Sequence, residues 1–278
     1  MRSSKLQGLF WASACALLCF SSQSVRASQP QGSDPAAVED IRQAVNAELE
    51  ANRTDKSVWM YRENDRTSDK NAVYNTIETP QGTLRRLIEL NGHPLGPDAA
   101  TNEIRRIQNY VRDSAAQAKA RRNAAHDDAQ AAEMTKMLPD AFIWTKASDN
   151  GDLVTLNFRP NPDFDPPDMQ SRVMGLMAGQ LIISKEGHRI RTLRGKLTED
   201  VKFGFGILGR LDRGGTFDIE RRVVGQGRWQ IVETHVHIGG RALLFHTIGQ
   251  QEDDVKTEWK PSTAHTLQEA VQQLANGQ

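Results

Sequence analysis

Glu233, His235, His237 and His246 are the residues whose types and spacing come closest to working chemistry in this chain. Gly239-Gly240 between them reads as a two-residue turn, joining 228–238 and 241–249 into a hairpin. In that register the four side chains share one face. Glu233 stands opposite His246, and His235 is a diagonal neighbour. Two histidines and a carboxylate can bind a divalent transition metal and leave coordination positions open. The chemistry would then be a metal-activated water or an oxygen-using iron site. The same residues also make an ordinary surface pair. His-x-His on a strand says only that two side chains share a face, and a one-residue bulge at the glycines would split the set.

No catalytic frame supports the metal reading. The sequence has no Gly-x-Ser-x-Gly elbow, no phosphate-cradling Gly-x-x-x-x-Gly-Lys and no His-Glu-x-x-His. Gly204, Gly206 and Gly209 match a dinucleotide fingerprint by spacing, but no βαβ unit surrounds them, so they read as a connector. Asp163, Asp165 and Asp168 suggest part of a calcium loop. The prolines between them and the missing central glycine favour a solvated turn.

Residues 1–27 read as a secretory signal peptide, with Arg2 and Lys5 ahead of the apolar stretch Leu9 to Phe20, then Val25-Arg26-Ala27. The apolar run is too short to stay as a spanning helix, which is the reading against a retained anchor. Cys15 and Cys19 both fall in this segment, so a processed chain has no thiol for a disulfide, a zinc–thiolate site or a nucleophile. Lysine plus arginine equals aspartate plus glutamate, 35 each, which argues against general attraction to nucleic acid or anionic membrane. No further apolar segment is long enough to predict a transmembrane helix.

Residues 28–33 read as a disordered spacer and 34–278 as one domain. Asp34-Pro35 predicts a helix start, with Val38, Ile41, Val45 and Leu49 on its apolar face. Short strands follow at 58–62, 72–79 and 83–90. A helical insert spans 97–138, divided at Asp113-Ser114. A second β run begins at Ala141 and continues to about Trp259, interrupted by a Pro-rich connection and a short helix at 169–177. A C-terminal helix carries Leu267, Val271 and Leu274. About ten hairpin-connected strands with few helices predict an α+β fold: a curved antiparallel sheet with helices on one side.

This order of elements resembles the periplasmic lipoprotein-carrier superfamily, LolA-like in fold. The similarity is carried by the amphipathic first helix before Val58-Trp59-Met60-Tyr61 and by a helical block interrupting the sheet. It is carried further by Met177-Ala178-Gly179-Gln180-Leu181-Ile182-Ile183, a turn at Glu186-Gly187, Ile190-Arg191-Thr192-Leu193 and the Gly227-Arg228-Trp229 strand start. The long insert and the Pro-rich connection depart from the carriers. The resemblance implies a half-barrel with an apolar concave side, covered by helices, that holds acyl chains or another protein's hydrophobic segment.

Candidate lining residues are Leu156, Phe158, Met174, Met177, Val232, Val236, Ile238, Leu243 and Phe245. Their plain alternative is ordinary core. The reading adopted is an exported, non-catalytic cell-envelope protein that binds a lipid, a lipoprotein acyl group or another hydrophobe, without a cofactor. An envelope protein is the further candidate partner. The alternatives are a protein-binding scaffold or sensor of the same fold and the metal enzyme using Glu233, His235 and His246.

Overall fold

Helix α1 follows from its first two residues. Asp34 accepts the Ala36 N–H at 2.9 Å, and Pro35 has no N–H to leave unpaired, so the helix runs Pro35–Thr54. The structure is a computed structural model that describes residues 32–203, 209–242 and 247–276. The leader reading at 1–27, and the candidates Leu243, Phe245 and His246, lie outside those residues.

After α1 come β1 (Trp59–Thr67), β2 (Asn71–Thr79), β3 (Gly82–Leu90) and the short β4 (His93–Pro94). The insert is α2 (Pro97–Arg112) and α3 (Ser114–Ala141). Asp113 divides them and caps α3 by accepting the Ala116 N–H at 2.9 Å. Then follow β5 (Phe142–Asn150), β6 (Leu153–Pro160), α4 (Met169–Gly175), β7 (Met177–Ser184), a 3-10 turn at Glu186–His188 and β8 (Arg189–Leu197). The chain continues through β9 (Val201–Phe203), β10 (Gly209–Leu211), β11 (Thr216–Gly225), β12 (Arg228–Ala242), β13 (Thr247–Pro261) and α5 (Leu267–Ala275).

The chain is α+β. The strands form one open antiparallel sheet in the order β4-β3-β2-β1-β13-β12-β11-β8-β7-β6-β5, with β9 and β10 extending from β12. It is a curved half-barrel with helices packed on it. There are thirteen strands among the described residues against about ten expected. β1 reaches Thr67, five residues past its expected end at Arg62, because pairing to β13 and β2 carries its polar half.

Two apolar clusters hold helices to this sheet. In the larger, Val38, Ile41, Ala44 and Val45 of α1 pack on Trp144, Leu156, Phe158, Leu181 and Ile183 of β5–β7. Each large side chain sealed there contributes about 1.5–3 kcal/mol. Polar latches fix the helix as well. Lys146 of β5 pairs with Asp40 at 2.7 Å, and Glu48 meets Arg189 and Arg221. In the smaller cluster, Leu267, Ala270, Val271 and Leu274 of α5 and Ile107 of α2 pack on Ile77 and Leu84, with Met60 beside them. Met60, Ile77 and Leu84 alternate along their strands with Tyr61, Thr76 and Arg85. Strand periodicity therefore places α5 and those polar residues on opposite faces of β1–β3.

The expected Gly239-Gly240 hairpin does not form. β12 continues through both glycines, and Gly239 pairs with Gly249 while Gly240 pairs with Ile248. Neither glycine takes the positive φ that a tight hairpin turn demands. Gly239 has room beside it, the nearest atom to a Cβ there being Asp212 Oδ2 at 3.9 Å. Gly240 also pairs with Leu211 of β10, and the Asp212 N–H donates to the Gly239 carbonyl at 2.8 Å.

Candidate functional site

The corrected register changes the histidine cluster. Glu233 lies opposite Val255, not His246, and His235 lies opposite Asp253. The hydrogen bonds between these residues run to one oxygen. His235 Nδ1 is 2.7 Å, and His237 Nε2 2.9 Å, from Asp253 Oδ1. Glu233 is held by Arg222 at 2.9 Å and is 3.7 Å from His235 Nε2. Hydrogen bonding to Asp253 raises the His235 pKa. Burial alone would raise Asp253, but the hydrogen bond from His235 and the charge of His237 hold its carboxyl below the ordinary range. Among the described residues, no group of three or more His, Cys, Asp or Glu side chains has the geometry to hold a metal ion. The strip is a set of mutually satisfied side chains on a polar sheet face. The row Arg194, Asp218, His235, Asp253 and Arg66 crosses five neighbouring strands.

The apolar candidates are placed differently. Leu156, Phe158 and Met177 belong to the larger core, and Met174 and Ile238 pack against it partly buried. Val232 and Val236 are buried on β12. Leu156, Phe158 and Met177 share the larger core with Val38, Ile41, Ala44 and Val45 of α1, whereas Val232 and Val236 belong to neither apolar cluster. Phe142, Trp144 and Phe158 stack edge-on and tilted at 4.7 to 5.7 Å between centroids.

One side of that core has a softer cover. α4 is seven residues long. It brings Met169, Val173 and Met174 onto the core, with Phe164 before it and Leu176 after it, all partly buried. Its N-terminus is set by a reciprocal cap between Asp168 and Ser171. Its far end is tied down where the Leu176 carbonyl accepts the Thr198 N–H at 3.0 Å and the Thr198 hydroxyl at 2.7 Å. Upstream, past Pro160 at the end of β6, is a connection through Pro162, Pro166 and Pro167 that is outside the sheet.

A buried ionic layer went unseen in the sequence. On the face of β1–β3 and β13 away from α5, Arg85 lies 2.8 Å from Glu63 and 3.4 Å from Asp65. Lys70 reaches Asp65 at 3.2 Å, and Lys256 reaches Asp254 at 2.9 Å. Thr76 donates to Glu63 at 3.1 Å, and the Arg85 guanidinium sits 4.0 Å over the Tyr74 ring. Three carboxylates and three cations are thus brought together where an apolar core would ordinarily stand. The only sequence trace was the charge alternation of Arg62 to Arg66. Hydrophobic periodicity, the usual strand signal, ends before it.

Asp254 is the strained member. Burial pushes its carboxyl up to about 6, Lys256 pulls the other way, and neighbouring Glu63 adds to the rise. A carboxyl raised in the folded state adds stability that is complete below its ordinary pKa and lost as pH rises through about 6. Asp254→Asn is therefore expected to stabilise the fold at pH 8, by on the order of 2 kcal/mol, and to give no gain at pH 4. Urea unfolding at the two pH values checks this; a gain independent of pH would contradict it.

No helix among the described residues is long and apolar enough to cross a membrane. No family model, curated protein or solved structure matches the chain.

Proposed function

We propose that this is an exported, non-catalytic binding protein for a lipid, a lipoprotein acyl group or a similar hydrophobe, with α4 as the displaceable cover of its larger core. The observation that carries the reading is the character of that cover. It is short, methionine-bearing and only partly buried, tied at Leu176 and led in by a proline-rich connection. Methionine adapts its shape at little cost, so an apolar chain can take over its contacts. The core it packs against includes Met177, Leu156 and Phe158. Among the described residues the core is filled by its own buried side chains, so binding there requires α4 to move.

The test is twofold. Mass spectrometry of protein purified from native extract should find bound lipid, and a fluorescent fatty acid should bind saturably. Met174→Glu puts a charge into the path of the chain and is expected to weaken uptake at least tenfold. Absence of both lipid and saturable uptake would end the proposal.

A second reading, a protein-binding scaffold, draws on α3. That helix is 28 residues and buries only Leu138, Pro139 and Ala141 near its end. At the helical rise it extends about 42 Å. Arg121→Glu with Arg122→Glu would then abolish a specific complex while leaving fatty-acid uptake unchanged.

A further inference from the structure

A second site lies at the end of the sheet where β6, β7, β8, β11 and β12 converge. A cavity of about 190 Å³ is lined by Leu153, Ser184, Arg191, Arg221, Arg222 and Trp229, with Val223 at its edge. Leu153 pairs with Ser184, directly beside the Val154–Ile183 pair that belongs to the core. The cavity therefore lies at the strand ends beside that core, where Arg221 also reaches Glu48 of α1.

Its three arginines are held to different degrees. Arg221 is fixed by Glu48 at 2.5 Å and donates to the Ile190 carbonyl at 3.3 Å. Arg222 is shared between Glu233 at 2.9 Å and Glu220 at 3.3 Å. Arg191 is exposed and makes no ion pair among the described residues. The surroundings are apolar as well as cationic. Val223 is 52% exposed and Ile231 39% exposed. Val223 pairs with Trp229, and Ile231 lies opposite Arg221. A guanidinium set beside an aromatic ring and exposed aliphatic side chains matches an oxyanion carried on an apolar body. The volume is several times the roughly 30 Å³ that a water occupies, so a tetrahedral anion fits.

We infer that the cavity bounded by Arg191, Arg221, Arg222 and Trp229 binds the phosphate group of an amphiphilic phosphate ester. Arg191 supplies the uncommitted charge. Arg221 and Arg222 are pre-positioned by their carboxylate partners. Val223, Ile231 and Trp229 meet the apolar part next to the phosphate. The inference goes beyond the α4 reading and does not require that core to open.

The probes are inorganic phosphate, a soluble short-chain phosphate monoester, and vesicles of phosphatidylcholine with or without phosphatidic acid. Binding is followed by calorimetry and vesicle sedimentation. The expected result is binding of the monoester or of the phosphatidic-acid vesicles, weakened tenfold or more in Arg191→Ala, since one charge-assisted hydrogen bond is lost. Arg194→Ala, an exposed arginine outside the cavity, is expected to leave binding within twofold. Monoester binding without vesicle binding supports the site and assigns a soluble ester. Binding confined to phosphatidic-acid vesicles supports it and assigns a lipid headgroup. No binding of any probe overturns it, as does equal loss in Arg191→Ala and Arg194→Ala, which would mean general charge attraction. Fatty-acid uptake through α4 is expected to be unchanged in Arg191→Ala, so the two sites fail or stand separately.

Discussion

Glu48→Ala is expected to lower the unfolding free energy by about 3–5 kcal/mol, the range for breaking a buried ion pair by removing one partner. Glu48 sits on α1 with its carboxylate buried and makes a three-way junction. It accepts from Arg189 Nε and Nη2, both at 3.0 Å, and from the Ile190 N–H at 2.9 Å, and it meets Arg221 at 2.5 Å. Alanine leaves two arginines and one backbone N–H without their acceptor. Burial alone would raise the Glu48 carboxyl, but the hydrogen bonds and charges of Arg189 and Arg221 outweigh it and hold the pKa below the ordinary value of 4.5. A carboxyl lowered in the folded state contributes stability above its unfolded pKa and loses it as pH falls through the folded one. The difference between wild type and Glu48→Ala should therefore be full at pH 7 and shrink in acid. Urea titrations across that range measure it. A constant difference would mean that packing, not charge, dominates the junction.

Gly179→Val is expected to cost about 3 kcal/mol or more, at or beyond the upper end of ordinary overpacking. Gly179 of β7 faces Gly195 of β8. A Cβ on Gly179 would stand 2.0 Å from the Arg194 carbonyl oxygen and 2.5 Å from the Gly195 Cα. Both obstacles are backbone, so no side-chain rotation relieves them. The two strands would have to separate in the middle of the wall that α1 covers. Gly239→Ala is the matched control, because the nearest atom to its Cβ would be 3.9 Å away. That change should stay within about 0.5 kcal/mol. Thermal unfolding of both variants decides the matter. A Gly179→Val protein as stable as wild type would show that β7 and β8 are not so close.

Much of the fold was legible because local rules sufficed. Asp34-Pro35 started α1, Asp113 separated α2 from α3, and Pro80-Gln81-Gly82 joined β2 to β3, each by chemistry confined to a few residues. The failures came where a residue serves distant strands. Gly239-Gly240 carried a sound turn signal, yet β10 and β13 both pair there and keep β12 extended. That shift removed the expected Glu233–His246 opposition and put Asp253 beside His235 instead. The ionic layer escaped for a related reason. Glu63, Asp65, Arg85 and Asp254 come from three strands, and charge in a sequence gives no sign of burial until its partners are in place.

The amino-acid order alone determined the class of architecture, the helix starts, most strand limits and the apolar stripe of α1, because backbone preference and periodicity act over a turn or a few residues. The tertiary structure decided strand register, the Glu48 junction, the buried charges and the arginine-lined cavity. Each of these depends on side chains far apart in the chain meeting at hydrogen-bond distance, and a shift of one residue in pairing exchanges the two faces of a strand.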